Sequence, residues 1–157
     1  MVSAAEERSA DESTGAGVKT VVTHDVDVEL GAERTAVTIP LGDAAPKLLA
    51  VARDPNRHLT LRVEGISVTS QPGVIYDVHV DGAAKEVGVL SFYGVEVSNG
   101  TSISAFTIDE AAARVLTDGS RELRVTFTPR GTTDASGREI IELTGRARFT
   151  RLVLAEE

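Results

Sequence analysis

The stretch "VIYDVHVDGAAKEVGVLSFYG", residues 74–94, decides how the chain is to be read. Val74, Tyr76, Val78 and Val80 alternate with Ile75, Asp77, His79 and Asp81, so one face is apolar and the other polar. A period of two marks a strand with one buried face. Asp81 and Gly82 supply turn chemistry, and "EVGVLSFYGVEV" at 86–97 follows as a second strand. Its denser apolar content implies a central strand covered on both faces. Gly88 and Gly94 within it suggest bulges or a close backbone approach.

The same period extends in both directions. In "VTHDVDVEL", Val26, Val28 and Leu30 oppose Asp25, Asp27 and Glu29. "RTAVTIPL" sets Thr35, Val37, Ile39 and Leu41 on one side, stopped by Pro40 and Gly42, and "HLTLRVEGI" turns Leu59, Leu61 and Val63 inward with Thr60, Arg62 and Glu64 outward. "DPN" at 54–56, "QPG" at 71–73 and the pair Asn99 and Gly100 read as turns between strands. Further on, "ELRVTFTPRG" points Leu123, Val125 and Phe127 inward, a polar loop follows at 131–138, and "EIIEL" and "RARFTRLVL" close the chain as a pair of short strands or one bent one. One segment breaks the pattern. "TIDEAAARVL", 107–116, predicts a helix with Thr107 and Glu110 as a capping box and Asp118 and Gly119 at its end. About eight short strands and one short helix near 108–116 predict an all-β antiparallel sandwich, jelly-roll-like in kind.

Composition sets outer bounds. The 157 residues suit one sandwich domain over 18–157, preceded by an acidic segment 1–17, "MVSAAEERSADESTGAG", that reads as a flexible tail or linker. Sixteen Lys plus Arg against 24 Asp plus Glu give a formal charge of −8, which argues against a phosphate-binding surface and so against nucleic acid as a partner. The absence of Cys excludes disulfides, thiolate metal sites and Cys nucleophiles. No apolar run is long enough to span a bilayer and no basic region precedes a hydrophobic stretch, so the expectation is a soluble chain without a membrane partner, in a compartment slightly more consistent with cytoplasm than secretion.

Candidate sites are few. Asp77, His79 and Asp81 lie at i, i+2 and i+4 and could in principle meet one cation. Neighbouring same-face residues on a strand stand about 6.5–7 Å apart, too far for short Asp side chains to converge, so a wetted strand face is the favoured account. The three His in the chain are His24, His58 and His79, and a triad built on His79 has no nucleophile elbow to support it. Asp25, Asp27 and Glu29 resemble a glycosidase pair only superficially, since two Tyr, four Phe and no Trp leave few sugar platforms. Arg138, Arg146, Arg148 and Arg151 cluster late, either as cross-strand ion pairs or as a basic stripe facing a partner. Phe92 and Tyr93 are adjacent on a strand, hence on opposite faces. One belongs to the core, and the other can contact a second surface.

Taken in order, "VELGAERTAVTIPL", "LTLRVEGI", "PGVIYDVHVDG", "VGVLSFYGV", "ISAFTID", "LRVTFTPRG" and "GRARFTRLVL" resemble one family over about 18–154. It is the C-terminal β-sandwich appended to tyrosinases, bacterial ones especially, and to plant polyphenol oxidases. The plant module is named for a Lys-Phe-Asp-Val signature. Here Ile75, Tyr76, Asp77 and Val78 stand at that place, with Tyr replacing the Phe. The resemblance implies a domain without catalysis of its own. In the family, two copper ions sit on six His of a separate four-helix domain, and the sandwich docks over it, limits substrate entry and maintains latency. It implies no cofactor on this chain, copper only on the partner catalytic domain in cis or in trans, and Phe92 or Tyr93 as an aromatic placeholder for the copper pocket. A free-standing adhesion or carbohydrate-binding sandwich is the alternative reading.

Overall fold

Ten strands and two short helices follow one another through residues 18–92 and 102–157, which are the residues this computed structural model describes. Strands β1 (Lys19–Leu30) and β2 (Thr35–Pro40) come first, and a single 3-10 turn at Gly42–Ala44 leads into α1 (Ala45–Arg53). Strands β3 (Leu59–Val68), β4 (Ile75–Val80), β5 (Gly88–Leu90) and β6 (Ser102–Thr107) precede α2 (Asp109–Thr117), and β7 (Glu122–Arg130), β8 (Thr132–Thr133), β9 (Glu139–Ile140) and β10 (Ala147–Glu156) complete the order. One sheet runs β1-β10-β3-β6 and the other β2-β7-β4-β5, every pairing antiparallel. The expected all-β sandwich is the architecture found.

The period-two faces meet between the sheets. Val74, Tyr76, Val78 and Val80 are buried from one side together with Leu123, Val125 and Phe127, while Leu61, Val63, Phe149, Leu152 and Leu154 are buried from the other. The rings of Phe127 and Phe149 touch across the interface at 5.1 Å between centroids. Each such side chain contributes roughly 1.5–3 kcal/mol by leaving water, so this layer is the main source of stability. The phase of β3 shifts at a bulge between Glu64 and Ile66, which turns Ile66 and Val68 inward after Leu59, Leu61 and Val63. Thr60, expected outward, is buried in the centre of its sheet, where its hydroxyl donates to the Ala155 carbonyl at 3.3 Å.

Several expectations need correction. Among the described residues, "EVGVLSFYGVEV" does not supply a central strand. Its described part forms the three-residue β5 at the edge of its sheet, with Val89 exposed, and 93–97 lie outside the described residues. The apolar density reflects contact with the opposite sheet, for the ring of Phe106 lies over Gly88, where a Cβ would collide with it. The turn expected at Asn99 and Gly100 and the segment 1–17 also fall outside the described residues. The loop 131–138 begins with β8, which pairs with β9 at the start of "EIIEL" as a small ribbon whose turn is organised by Asp134. Its carboxylate accepts from the backbone N–H groups of Ser136 and Arg138 at 2.9 Å each.

The helices differ from expectation in number and in capping. Alternation does not predict α1, but Pro46 at its first turn and the buried Ala45, Leu48 and Val51 on one stripe explain it. "DPN" therefore ends a helix instead of joining two strands, with the Asp54 carboxylate accepting from the Asn56 N–H at 2.8 Å. No capping box forms at α2. Thr107 stays in β6, and the Asp109 carboxylate turns away to accept from the Leu59 N–H at 2.6 Å and to meet His58 Nδ1 at 2.9 Å. Both helices carry the chain from one sheet to the other at the same end of the sandwich, and they pack on each other there. Arg53 reaches across to the Thr117 hydroxyl at 2.7 Å.

The turn at Asp81 and Gly82 docks onto α2, with Arg114 donating to the Gly82 carbonyl at 3.2 Å. Gly82 has φ of +92°, and a Cβ there would lie 2.7 Å from both the Ala111 carbonyl oxygen and Val115 Cγ2. Gly82→Ala is therefore expected to cost about 1–3 kcal/mol, from strain at positive φ together with the clash. Thermal unfolding followed by circular dichroism checks this, with Tm falling about 2–4 °C for each kcal/mol.

Candidate docking site at the open end of the sandwich

The helices close one end of the sandwich. At the opposite end, the start of β4, the end of β7 and the residues after β5 border a shallow groove of about 460 Å³. Val74, Ile75 and Phe92 supply its apolar lining, and Arg130 and Gly131 stand at its side. Phe92 itself is only 2% exposed, so it is a core residue that shows an edge to the groove. Its ring meets Tyr76 nearly perpendicularly, with centroids 5.8 Å apart and planes at 81°. Tyr93 lies outside the described residues.

Tyr76 connects the two sheets. Its ring is fully buried from β4, and its hydroxyl donates to the Gly31 carbonyl, just past β1 of the other sheet, at 2.9 Å. A phenylalanine could fill the same volume but would leave that carbonyl without this donor. Burial raises the Tyr76 pKa above its ordinary 10.0, because the phenolate is the form that loses solvation.

The outward row of β4 is occupied by ordinary surface contacts. Asp77 is paired with Arg130, whose guanidinium is held more firmly protonated by that carboxylate. His79 Nε2 lies 3.2 Å from the Ala83 carbonyl, and Asp81 is exposed at the turn. The three residues do not converge. Among the described residues there is no group of three His, Asp or Glu side chains placed to hold a metal ion. The three His stand apart as well: His24 is half-buried in β1, His58 is held by Asp109, and His79 faces its own turn.

The late arginines meet the early acids. Arg146 pairs with Glu29, Arg148 with Asp27, and Arg151 with Asp25 at 3.0 Å, a ladder across β1 and β10 on the outer face of their sheet. Glu64 of β3 extends it, lying 4.0 Å from Arg151 and 3.1 Å from Arg62. This is the cross-strand alternative left open by the sequence, and it accounts for Asp25, Asp27 and Glu29 together. Arg138 sits apart, near the β8–β9 turn. Sequence reasoning missed the groove itself, because its walls come from residues 71–75, 91–92 and 130–131, which no local pattern links.

No protein-family model matches the chain, and no curated protein sequence is similar to it. Among solved structures, latent apple tyrosinase aligns over 83% of this chain and 27% of its own, at 13% identity and a TM-score of 0.52. Recombinantly expressed latent aurone synthase, a polyphenol oxidase, aligns over 96% of this chain and 33% of its own at 17% identity, with a TM-score of 0.48. The same enzyme from its natural source aligns over 80% and 24%, at 16% identity and 0.46. The chain thus spans about a quarter to a third of the length of the structures it resembles. Among the described residues no helix is long and apolar enough to cross a membrane.

Substitution at Tyr76 separates its two roles. Tyr76→Phe keeps the ring against Phe92 and is expected to cost about 0.5–1.5 kcal/mol for the lost hydrogen bond, whereas Tyr76→Ala should cost about 3–5 kcal/mol through the cavity. The pH dependence has a definite sign. With the folded pKa raised, the unfolded chain ionises first, so stability is lost as pH rises above about 10 and Tyr76→Phe removes that loss. Urea unfolding of both variants and the parent chain across neutral to alkaline pH checks each statement. The fold shared with part of latent apple tyrosinase, at an identity that speaks for architecture alone, is the conclusion these comparisons carry.

Proposed function

We propose that this chain is a non-catalytic accessory domain of a tyrosinase-like copper oxidase, docked over the copper domain so as to limit substrate access and keep the enzyme latent. The observation that supports the reading most is the alignment of most of this chain with about a quarter of latent apple tyrosinase. Seven sequence fragments resembling the family's C-terminal sandwich occur in order along the same span. In this reading residues 18–157 form one sandwich domain, and 1–17 serve as the linker that permits docking in cis, with docking in trans as the other possible arrangement.

The donor set fits that division of labour. A pair of copper ions with imidazole ligands needs more His than the three on this chain, and those three stand on separate elements. Copper therefore belongs to the partner domain, where it supplies the oxidation chemistry. This chain contributes shape: a rigid sandwich with a groove at the end away from the helices. Phe92 and Tyr93 are the aromatics carried over as placeholder candidates, and the burial of Phe92 beside Tyr76 favours Tyr93 for that role.

Purified chain added to a cognate copper domain is expected to slow catechol oxidation in proportion to the bound fraction. Tyr93→Ala is expected to weaken that inhibition without unfolding the chain. Stoichiometric copper on the isolated chain, or catechol turnover by it, would overturn the reading. Specific binding in a glycan array with no effect on the copper domain would favour an adhesion module instead.

A further inference from the structure

We propose that β1 is an exchangeable edge strand, passed between two copies of this chain. Among the described residues the strand is first in its sheet and pairs with β10 alone. Of its twelve residues only Leu30 is fully buried, with Val21, Val22, Val26 and Val28 partly buried against the core, whereas β10 fully buries Ala147, Phe149, Leu152, Val153, Leu154 and Ala155. Pairing is interrupted twice, between Thr20 and Val22 and between Asp25 and Val28. Edge elements with few fully buried side chains and shifted ladders open more readily than the central strands.

What holds β1 in register is specific to its sequence. Arg146, Arg148 and Arg151 receive Glu29, Asp27 and Asp25, each pair at least half exposed. Exposed pairs add about 0–1 kcal/mol apiece, so they contribute little to holding the strand but do select an acid-bearing one. Once β1 leaves, the edge of β10 offers unpaired backbone groups and a row of three guanidiniums. The segment of this chain that matches is another copy of β1, with alternating acids outward and Val26, Val28 and Leu30 inward. All of the β1–β10 contacts re-form in the exchanged pair, the Gly31 carbonyl that accepts from Tyr76 travels with β1, and only residues 32–34 of the link change course, so the balance is set by concentration and by that link. Four residues joining strands of different sheets is a short hinge, of the kind that favours exchange.

The test uses the absence of cysteine. Thr23 and Val153 are Cα partners across β1 and β10, and such neighbours fall within disulfide range. In Thr23→Cys with Val153→Cys, the only disulfide lies within one copy when β1 stays home and joins two copies when it is exchanged. Refolding at low and at high protein concentration, then oxidation and a non-reducing gel, should show the covalently joined dimer rising on the order of tenfold at about 1 mM over about 10 µM. Intramolecular disulfide alone at both concentrations overturns the proposal, as does equal dimer from Thr23→Cys by itself. Should the double variant fail to fold, light scattering of the unmodified chain decides. A dimer at high concentration that is lost on lengthening the 31–34 link with Gly and Ser supports exchange, and no dimer, or one indifferent to the link, overturns it.

Discussion

The hydrogen bond from the Tyr76 hydroxyl to the Gly31 carbonyl is the contact on which the arrangement of the two sheets turns. The phenol comes from β4 near the middle of one sheet, and the carbonyl from the end of β1 at the margin of the other. Apolar burial brings the sheets together without fixing how one slides over the other, since the hydrophobic effect has no direction. A hydrogen bond does have direction, and in the interior an unpaired partner is costly. The edge-on ring of Phe92 braces the same phenol from the side. Core packing and the groove at the open end are therefore two aspects of one cluster, with Phe92 forming part of the lining.

Charge has a different task. A chain with a formal charge of −8 repels itself unless its acids are placed beside its cations. Here the acids of β1 stand opposite the arginines of β10, and Glu156 accepts a hydrogen bond from Arg57 at 2.6 Å, which holds its carboxyl below the ordinary glutamate range. The outer face of that sheet is in this way neutralised row by row. The groove end, by contrast, keeps an apolar lining beside a single paired arginine, Arg130.

Much of this was legible in the sequence, for identifiable reasons. Alternation in 74–80 and 123–127, and in 59–63 apart from the buried Thr60, marked the buried faces correctly because side chains on a strand must alternate. The ladder was visible as acids near 25–29 and arginines near 146–151, although only the fold brings them opposite each other across more than a hundred residues. Failures had physical causes too. Helix α1 is short and half apolar, and the alternating pattern gave residues 45–53 no assignment. Asp109 could cap its own helix or bind the Leu59 N–H and His58, and tertiary contact decided between them. Residues 86–90 looked central because their neighbours are apolar, yet coverage came from the opposite sheet and not from strands on both sides. The groove had no local signature, being assembled from three separate segments.

The meeting of Gly88 and Phe106 carries a consequence for how this fold can vary. The ring fills the space that any larger residue at 88 would need, and the two positions belong to different sheets at the same seam. A larger residue at 88 parts β5 from β6 unless the ring at 106 gives way, and a smaller residue at 106 leaves a gap over Gly88. In related sandwiches a bulkier residue at the first site should coincide with a smaller one at the second, so the pair records the spacing between sheets as a shared volume.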